Sequence, residues 1–310
     1  MSVALEHVSC AICGQDDPRP LMRAVDTTYG VHGTFNVVRC RHCGLVYTDP
    51  RPTREAIGIF YPTDYRPHSV DVREHQNPLG QLARRVAFSG KSTRLGQLYN
   101  HLAFRAFAPG GEGRRVLDVG CGVGAYLDVW RSLGWEIEGL EPDEDAARVA
   151  EERLNVTIHR GFAEEADLPL ERYDLITFSH TLEHFHAPTD ALRHLRTSLI
   201  PGGRVLIMVP NFSAWLRRLT GSRWLGLEVP RHLYHFEPKT LAAILDVAGY
   251  HDIRVAGSAH PGVLLKHLQN LLGGRLDPKG AWGLSGALAL LRLPQAMLRR
   301  TDLLWATATS

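Results

Sequence analysis

Four of the five cysteines form two pairs whose spacing suits a metal ion. Cys10 pairs with Cys13, and Cys40 pairs with Cys43, with a glycine directly after each pair. Each Cys-x-x-Cys turn directs two thiolates at one centre, and two such turns provide the tetrahedral sulfur ligation that structural zinc prefers. We therefore predict a structural Zn²⁺ ion held by these four cysteines, with a redox pair or a rubredoxin-like iron site as the alternatives.

A glycine-rich loop follows an apolar run, and the residues from Val116 to Gly124 read VLDVGCGVG. Glycine permits a tight turn and lets a ligand approach the backbone without a Cβ in the way. The helix that should follow presents free N–H groups at its start. A glycine loop alone could serve a dinucleotide, a nucleoside or only a turn, so it does not choose between them.

An acidic residue ends the next apolar run, where Glu141 precedes Pro142. Its carboxylate can accept hydrogen bonds from both hydroxyls of a ribose, an arrangement that NAD and other nucleosides share. Two further features narrow the choice of cofactor when taken together with the glycine loop. They are the sequence Gly-Phe-Ala-Glu at 161–164 and the Pro-Gly-Gly turn at 201–203.

A histidine-rich stretch lies between Ser179 and Pro188. It matches the His-x-x-Glu-His pattern of some metalloproteases, but that motif needs a helix and this stretch follows a strand. Histidine titrates near neutrality, so His184, and after it His180, are our candidates for a general base. Two alternatives remain: His184 only orients the loop, or Glu183 and the histidines hold a divalent ion.

A second aromatic and histidine-rich segment spans 211–236. Its histidines, His232 and His235, are further candidates for a catalytic role. Its aromatic residues either line a substrate pocket or pack in the core. Arg231 is expected to be exposed. The aromatic residues concerned are Phe212, Trp215, Trp224, Tyr234 and Phe236.

Alternating apolar runs and helical stretches from Arg114 onward predict an α/β fold with a parallel sheet and helices on both faces. The predicted strands are 115–119, 136–140, 156–158, 173–178, 204–209, 251–255 and 303–308, with a helix over 125–133. The turn at 201–203 should introduce the fifth of these strands. We divide the chain into a zinc-binding module (1–50), a helical linker or cap segment (51–105) and a main domain (106–310) with cap insertions at 211–236 and 263–298.

Composition is that of a globular protein, with 310 residues, 44% hydrophobic residues and a net charge of +2. That length suits one sizeable α/β domain with a small accessory module. Near-neutral charge argues against a dedicated nucleic-acid binder. Because no apolar run suits a bilayer and no signal-peptide pattern is present, we expect a cytoplasmic protein.

These motifs resemble those of the class I S-adenosylmethionine-dependent methyltransferases, over roughly 106–310. The resemblance implies a Rossmann-like, seven-stranded methyltransferase sheet, and it implies a role for each motif in holding the cofactor. Many members of the family have an aspartate where this chain has Phe162. The resemblance assigns the methionine part of the cofactor to Asp118, Gly120, Cys121, Gly122 and Gly124. It assigns the ribose to Glu141 and the adenine to Phe162 and Ala163. Pro142 and Ser179 are also expected to lie at the cofactor.

The resemblance further implies a methyltransferase that acts on a small molecule such as a sugar, a polyketide-like compound or another secondary metabolite. An RNA methyltransferase is the alternative, because some ribosomal RNA methyltransferases also carry a zinc module before this fold. A scaffold protein without activity is disfavoured by the intact glycine loop and Glu141. The apolar face predicted within 263–298 is expected to cover the acceptor site, with a homodimer interface or contact with a membrane surface as the alternatives.

Overall fold

The computed structural model describes residues 3–61, 113–258 and 301–310. The predicted insertion at 263–298 lies outside these residues, as does most of the predicted 51–105 segment. The chain divides into two compact units, and the boundaries predicted from the sequence stay a prediction. The first unit comprises Met1–Pro62, His180–Asp190 and Ile207–Ala306, and the second comprises Thr63–Ser179, Ala191–Leu206 and Thr307–Ser310.

The N-terminal region of the first unit is built from short antiparallel strands. Its strands are β1 (Leu5–Glu6), β2 (Pro18–Ala24), β3 (Phe35–Cys40), β4 (Val46–Thr48) and β5 (Arg51–Pro52). Strand β1 pairs with β5, while β2, β3 and β4 form successive neighbours in a second sheet. The fourth strand of that sheet comes from far along the chain, because Tyr234 pairs with Tyr47 and His235 with Val46.

One hydrophobic core joins the N-terminal strands to the aromatic segment at 211–236. Phe212 and Trp224 are buried in this core, and Trp215 packs against it. Tyr234 and Phe236 are also buried, and this burial favours the core interpretation of these rings, while the predicted role of the segment at the acceptor site stays a prediction. The buried members of the core are Ala24, Phe35, Val37, Val46, Phe60, Phe212, Ala214, Leu216, Trp224, Leu227 and Val229.

A buried ion pair reinforces this core. The guanidinium of Arg231 donates to both carboxylate oxygens of Asp26, at 2.8 and 2.9 Å, and to the carbonyl of Phe60 at 2.9 Å. Both side chains of the pair are fully buried. The expectation of an exposed Arg231 is therefore wrong, because an acid some two hundred positions away neutralises it inside the core.

A seven-stranded sheet contains a strand at or beside each predicted position, although the third strand begins at Ile158, where the prediction ended. The strands are β6 (Arg115–Val119), β7 (Glu136–Glu141), β8 (Ile158–Arg160), β9 (Tyr173–Ser179), β10 (Leu199–Pro210), β12 (His251–Ser258) and β13 (Leu303–Thr309), with β11 (Tyr234–His235) in the other sheet. Their order is β12-β13-β10-β9-β6-β7-β8. Strand β6 runs parallel to β7 and β9, and β7 runs parallel to β8. The predicted Rossmann-like α/β fold is confirmed, although the sheet is mixed and not parallel throughout.

The fifth predicted strand differs at its start. Strand β10 begins at Leu199, so the Pro-Gly-Gly sequence lies inside the strand and not in a turn before it. A Cβ atom at Gly203 would lie 2.8 Å from the carbonyl oxygen of Ile200 and 3.1 Å from that of Tyr173. The glycine therefore permits the close approach of backbones, which the sequence pattern alone presented as a turn signal.

The described helices are α1 (Ala125–Ser132), α2 (Glu144–Leu154), α3 (Pro188–Arg196), α4 (Trp215–Thr220) and α5 (Pro238–Val247). Helix α1 starts directly after the glycine loop. Helix α2 is capped by Asp143, whose side chain accepts a hydrogen bond from the Ala146 N–H at 2.8 Å. Among the described residues, no helix has the length and apolarity that crossing a membrane requires.

Candidate functional site

The glycine loop folds between β6 and α1 as the sequence predicts. Gly120, Gly122 and Gly124 all adopt positive φ angles of 68°, 53° and 82°. L-residues with side chains rarely adopt this region, so the loop shape depends on glycine. At Gly124 a Cβ atom would also lie only 2.6 Å from the Leu154 side chain. The loop thus brings its backbone N–H groups to the carboxyl end of β6.

Glu141 is fixed at the neighbouring strand end. Its carboxylate is buried, and it accepts hydrogen bonds from the N–H of Gly122 at 2.8 Å and of Asp143 at 3.0 Å. A buried carboxylate at the end of this strand is the kind of acceptor that the two hydroxyls of a ribose require. The loop and the acid therefore form one pre-arranged site within the second unit.

Asp118 adds a second buried carboxylate to this site. The hydroxyl of Thr177 donates to it at 2.6 Å. Burial, with the negative charge of Glu141, raises the pKa of Asp118 to about 7. Two buried acids suit a cationic ligand, and S-adenosylmethionine carries both an ammonium and a sulfonium group. The described residues therefore fit this cofactor.

Cys121 is a buried residue of the glycine loop. Its thiol is buried, and burial raises its pKa. A Cβ atom at Gly139 of β7 would lie 2.6 Å from the Cys121 sulfur, so the lack of a side chain at Gly139 makes room for the cysteine in the loop after β6. The cysteine fills space beneath the glycine loop.

The remaining predicted cofactor residues lie near the same strand ends. Phe162 is 48% exposed and Ala163 is buried, in the loop after β8. Pro142 follows Glu141 directly, and Ser179 ends β9. The flat face of Phe162 is suited to stacking on an adenine. Its role there, and those of the other residues assigned to the cofactor, stay predictions.

The four predicted zinc ligands come together in the first unit. The Cys10 and Cys43 sulfurs are 3.3 Å apart, the Cys13 and Cys40 sulfurs are 3.5 Å apart, and all four sulfurs lie within 4.8 Å of one another. Sulfurs around tetrahedral zinc at about 2.3 Å lie about 3.8 Å apart. The cysteine cluster therefore has the dimensions of a zinc site.

The histidine-rich stretch forms a short helical turn that the fold ties to the second histidine segment. The carbonyl of Glu183 accepts a hydrogen bond from the Leu233 N–H at 2.8 Å. The rings of His184 and His232 meet edge to face, with centroids 4.7 Å apart. Glu183, His184 and His232 offer ligand atoms that lie within 4.8 Å of one another. We call these three residues the Glu-His-His cluster.

His232 is paired with an acid that the sequence analysis did not identify. Its Nδ1 donates to the Gly226 carbonyl at 2.9 Å, and its Nε2 lies 3.1 Å from Glu228. Burial opposes charge on the ring, but the hydrogen bond with Glu228 raises the pKa of His232. Burial likewise opposes charge on Glu228, but the same bond holds its pKa at about 2.

The other histidines have different surroundings. Burial, with the charge of His232, lowers the pKa of His184 to about 4, and the Tyr61 hydroxyl lies 3.0 Å from its Nδ1. Burial lowers the pKa of His235 to about 3, and its Nε2 lies 3.4 Å from the Thr48 hydroxyl. His180 is partly exposed and has a φ of 55°, which is unusual for a residue with a side chain.

Tyr61 and Glu228 are thus the residues that sequence reasoning missed. Tyr61 is separated from His184 by 123 positions, and no local pattern marks that pairing. Glu228 lies four positions before His232, a spacing that brings side chains together in a helical turn. That spacing was the available signal.

The methyltransferase-domain family matches residues 92–255, which is more than half of the chain. An O-methyltransferase of ubiquinone biosynthesis from Aeromonas salmonicida is 30% identical over 149 residues, which are 44% of this chain and 63% of that protein. The protein of the same name from Burkholderia multivorans is 27% identical over 162 residues, which are 48% of this chain and 70% of that protein. This chain therefore covers less than two thirds of the Aeromonas relative.

A solved structure shares the fold. Phosphoethanolamine N-methyltransferase 2 of Haemonchus contortus, in complex with S-adenosyl-L-methionine, aligns with 94% of this chain and 71% of its own. The TM-score is 0.52 and the sequence identity 16%, so this likeness concerns the fold alone. With the glycine loop, the buried acids and the family match together, the chain belongs to the class I S-adenosylmethionine-dependent methyltransferases.

Proposed function

We propose that the protein transfers the methyl group of S-adenosylmethionine to a hydroxyl oxygen of a small-molecule acceptor. The observation that carries the proposal is the pre-arranged site of the glycine loop, Asp118 and Glu141. The relatives named as ubiquinone biosynthesis O-methyltransferases support a small molecule and an oxygen acceptor. A sugar, a polyketide-like compound and other metabolites remain within this class.

The cofactor supplies an electrophilic methyl group on a positively charged sulfur. The acceptor oxygen forms a bond to that carbon as the carbon–sulfur bond breaks, and the electron pair goes to sulfur. The protein must hold the two reactants in line, which removes much of the entropic barrier. Glu141 would fix the ribose, and the glycine loop would fix the methionine part.

The acceptor hydroxyl must also lose its proton. We propose that the histidine-rich stretch assists this step. The stretch begins at His180, the residue after the carboxyl end of β9, and ligands of such sheets bind outside the carboxyl ends of the strands. His184, His180, His232 and His235 remain the proposed catalytic histidines. The buried partners of His235 and its lowered pKa give it the least support among them.

Replacing Glu141 with alanine tests the cofactor site. Loss of a charge-assisted hydrogen bond to the ribose should weaken S-adenosylmethionine binding by about 1.5–3 kcal/mol. Titration calorimetry measures this, with Glu152→Ala as the control because Glu152 is an exposed acid on α2. Unchanged affinity in Glu141→Ala, or tight binding of NAD by the wild-type protein, would overturn the assignment.

We further propose that the cysteine cluster holds a structural Zn²⁺ ion. Its dimensions and four-sulfur donor set support this, and all four ligand positions are then taken by protein. The ion would stabilise the N-terminal strands and would take no part in the methyl transfer. Separately from the metal, we propose that the protein is cytoplasmic and that it forms a homodimer.

Two arginines of the described N-terminal region, Arg39 and Arg41, give the RNA alternative no support. Arg39 forms a bidentate pair with Glu237, and Arg41 pairs with Asp17. These two arginines are therefore partly neutralised and do not form a free basic patch.

A further inference from the structure

We propose that the Glu-His-His cluster binds a divalent cation, which holds the acceptor hydroxyl; this role rests on the proposed function, whereas cation binding does not. Two imidazoles and one carboxylate are a donor set for first-row transition ions such as Fe²⁺ and Mn²⁺. A six-coordinate ion with three protein ligands keeps positions for water and for an acceptor oxygen.

The first observation is an unsatisfied buried acid. Glu183 is 1% exposed, and neither of its oxygens accepts a hydrogen bond from the described residues. The nearest histidine nitrogens are the Nδ1 of His180 at 3.6 Å and the Nε2 of His232 at 3.9 Å, both from Oε1. A buried carboxylate without hydrogen bonds is costly, and a cation among its neighbours would remove that cost.

The second observation is the orientation of His232. Its Nδ1 donates to a backbone carbonyl, so that nitrogen carries the proton. A hydrogen bond at one ring nitrogen is the usual way in which proteins orient a histidine that binds metal through the other. The other nitrogen, Nε2, faces two carboxylates, those of Glu183 and Glu228.

The third observation is the support of His184. The Tyr61 hydroxyl lies 3.0 Å from Nδ1 of His184, and we assign the ligand bond to Nε2. The ring meets that of His232 edge to face. Ligand atoms on one cation lie about 3 Å apart when each metal bond is about 2.1 Å. The His232–Glu183 separation of 3.9 Å therefore needs a contraction of about 1 Å to close on an ion.

Charge supports the same conclusion. Glu183 and Glu228 are both acids, and a protonated His232 offsets only one of them. Arg231 is 4.0 Å from Glu228 but is held by Asp26, which matches its charge. Binding would exchange the Nε2 proton of His232 for the cation. That ion would lower the pKa of a bound hydroxyl, whose proton leaves to water before its oxygen attacks the methyl group.

Manganese titration of the protein with its cysteine cluster intact tests the proposal. Electron paramagnetic resonance counts free Mn²⁺, and we expect about one ion bound per chain. Glu183→Gln keeps the shape of the side chain and should weaken binding by at least about tenfold. Asp252→Asn is the matched control, because Asp252 also pairs with a histidine, His251 at 3.0 Å, but is exposed. It should bind Mn²⁺ as the wild type does.

Thermal unfolding gives a second readout. At a hundred times the wild-type dissociation constant, Mn²⁺ should raise the Tm of the wild type by about 5 °C and that of Glu183→Gln by no more than about half as much. No saturable Mn²⁺ binding at millimolar concentration, or equal binding by Glu183→Gln, would overturn the cation site. Calorimetry with S-adenosylmethionine on the same samples separates the two proposals. Cofactor binding without Mn²⁺ binding would refute only the cation site, and the reverse would refute the proposed function.

Discussion

Asp118 should make the stability of the cofactor-free protein fall as the pH rises. Its pKa is raised to about 7, first by burial and then by the charge of Glu141. An aspartate in the unfolded chain has a pKa of about 3.9. Between these values the folded protein binds more protons than the unfolded one. The favourable contribution is therefore complete below about pH 4 and is lost as the pH rises through about 7.

The expected change in the free energy of unfolding follows from the shift in the pKa of Asp118. Three pKa units correspond to about 4 kcal/mol, of which about 2.5 kcal/mol falls between pH 5 and pH 8. Asp118→Asn resembles the protonated side chain and keeps a partner for the Thr177 hydroxyl. The variant should therefore lack this part of the pH dependence and gain stability over the wild type as the pH increases.

Urea unfolding of both proteins from pH 5 to pH 8 measures the difference, with Asp145→Asn as a control at an exposed aspartate. Cofactor binding provides a second measurement. A cation beside Asp118 lowers its pKa, so S-adenosylmethionine should release a proton on binding below pH 7, and its affinity should increase with pH. Calorimetry in two buffers of different ionisation enthalpy detects that proton. Parallel stability curves for wild type and Asp118→Asn would refute the reasoning.

Three further predictions concern the first unit. Elemental analysis should find about one Zn²⁺ ion per chain bound to the cysteine cluster, and a stably folded protein isolated without metal would contradict it. His184→Ala should bind cofactor normally but lose turnover by about 10²–10⁴-fold. Single-turnover kinetics measures this loss, with His251→Ala as the control. Unchanged turnover in His184→Ala would exclude a catalytic role for His184. Asp26→Asn leaves a buried arginine without its charge partner and should cost about 3–5 kcal/mol in urea unfolding. Asp17→Asn, at an exposed ion pair, should cost less than about 1 kcal/mol.

Local sequence patterns predicted the elements that position the cofactor. The apolar runs that form β6 and β7 are buried strands, and the three glycines between β6 and α1 have the positive φ angles that their residue type permits. Both signals depend on neighbouring residues only. The boundary of β10 was predicted less well, because Pro-Gly-Gly can mark a turn or a close approach of strands.

Contacts between residues that lie far apart in the chain could not be predicted from the sequence. Arg231 was expected to face solvent because arginine is rarely buried without a partner, and Asp26 is 205 positions away. The aromatic rings of Phe212 and Trp224 had two interpretations, pocket wall or core, because hydrophobicity does not show which surface covers a side chain. Only the pairing of β11 with β4 shows that the N-terminal strands cover them.

The pairing of β11 with β4 also gives the cysteine cluster a structural role. Cys40 ends β3, and β4 follows after the Cys-x-x-Cys turn, so a zinc ion would fix the connection between these two strands. The Thr48 N–H at the end of β4 donates to the Leu233 carbonyl, and the Leu233 N–H donates to the Glu183 carbonyl. These hydrogen bonds connect the cysteine region to the turn that carries Glu183 and His184. The N-terminal region is thus part of the scaffold that orients the Glu-His-His cluster, and a zinc ion in it would stabilise that scaffold without entering the reaction.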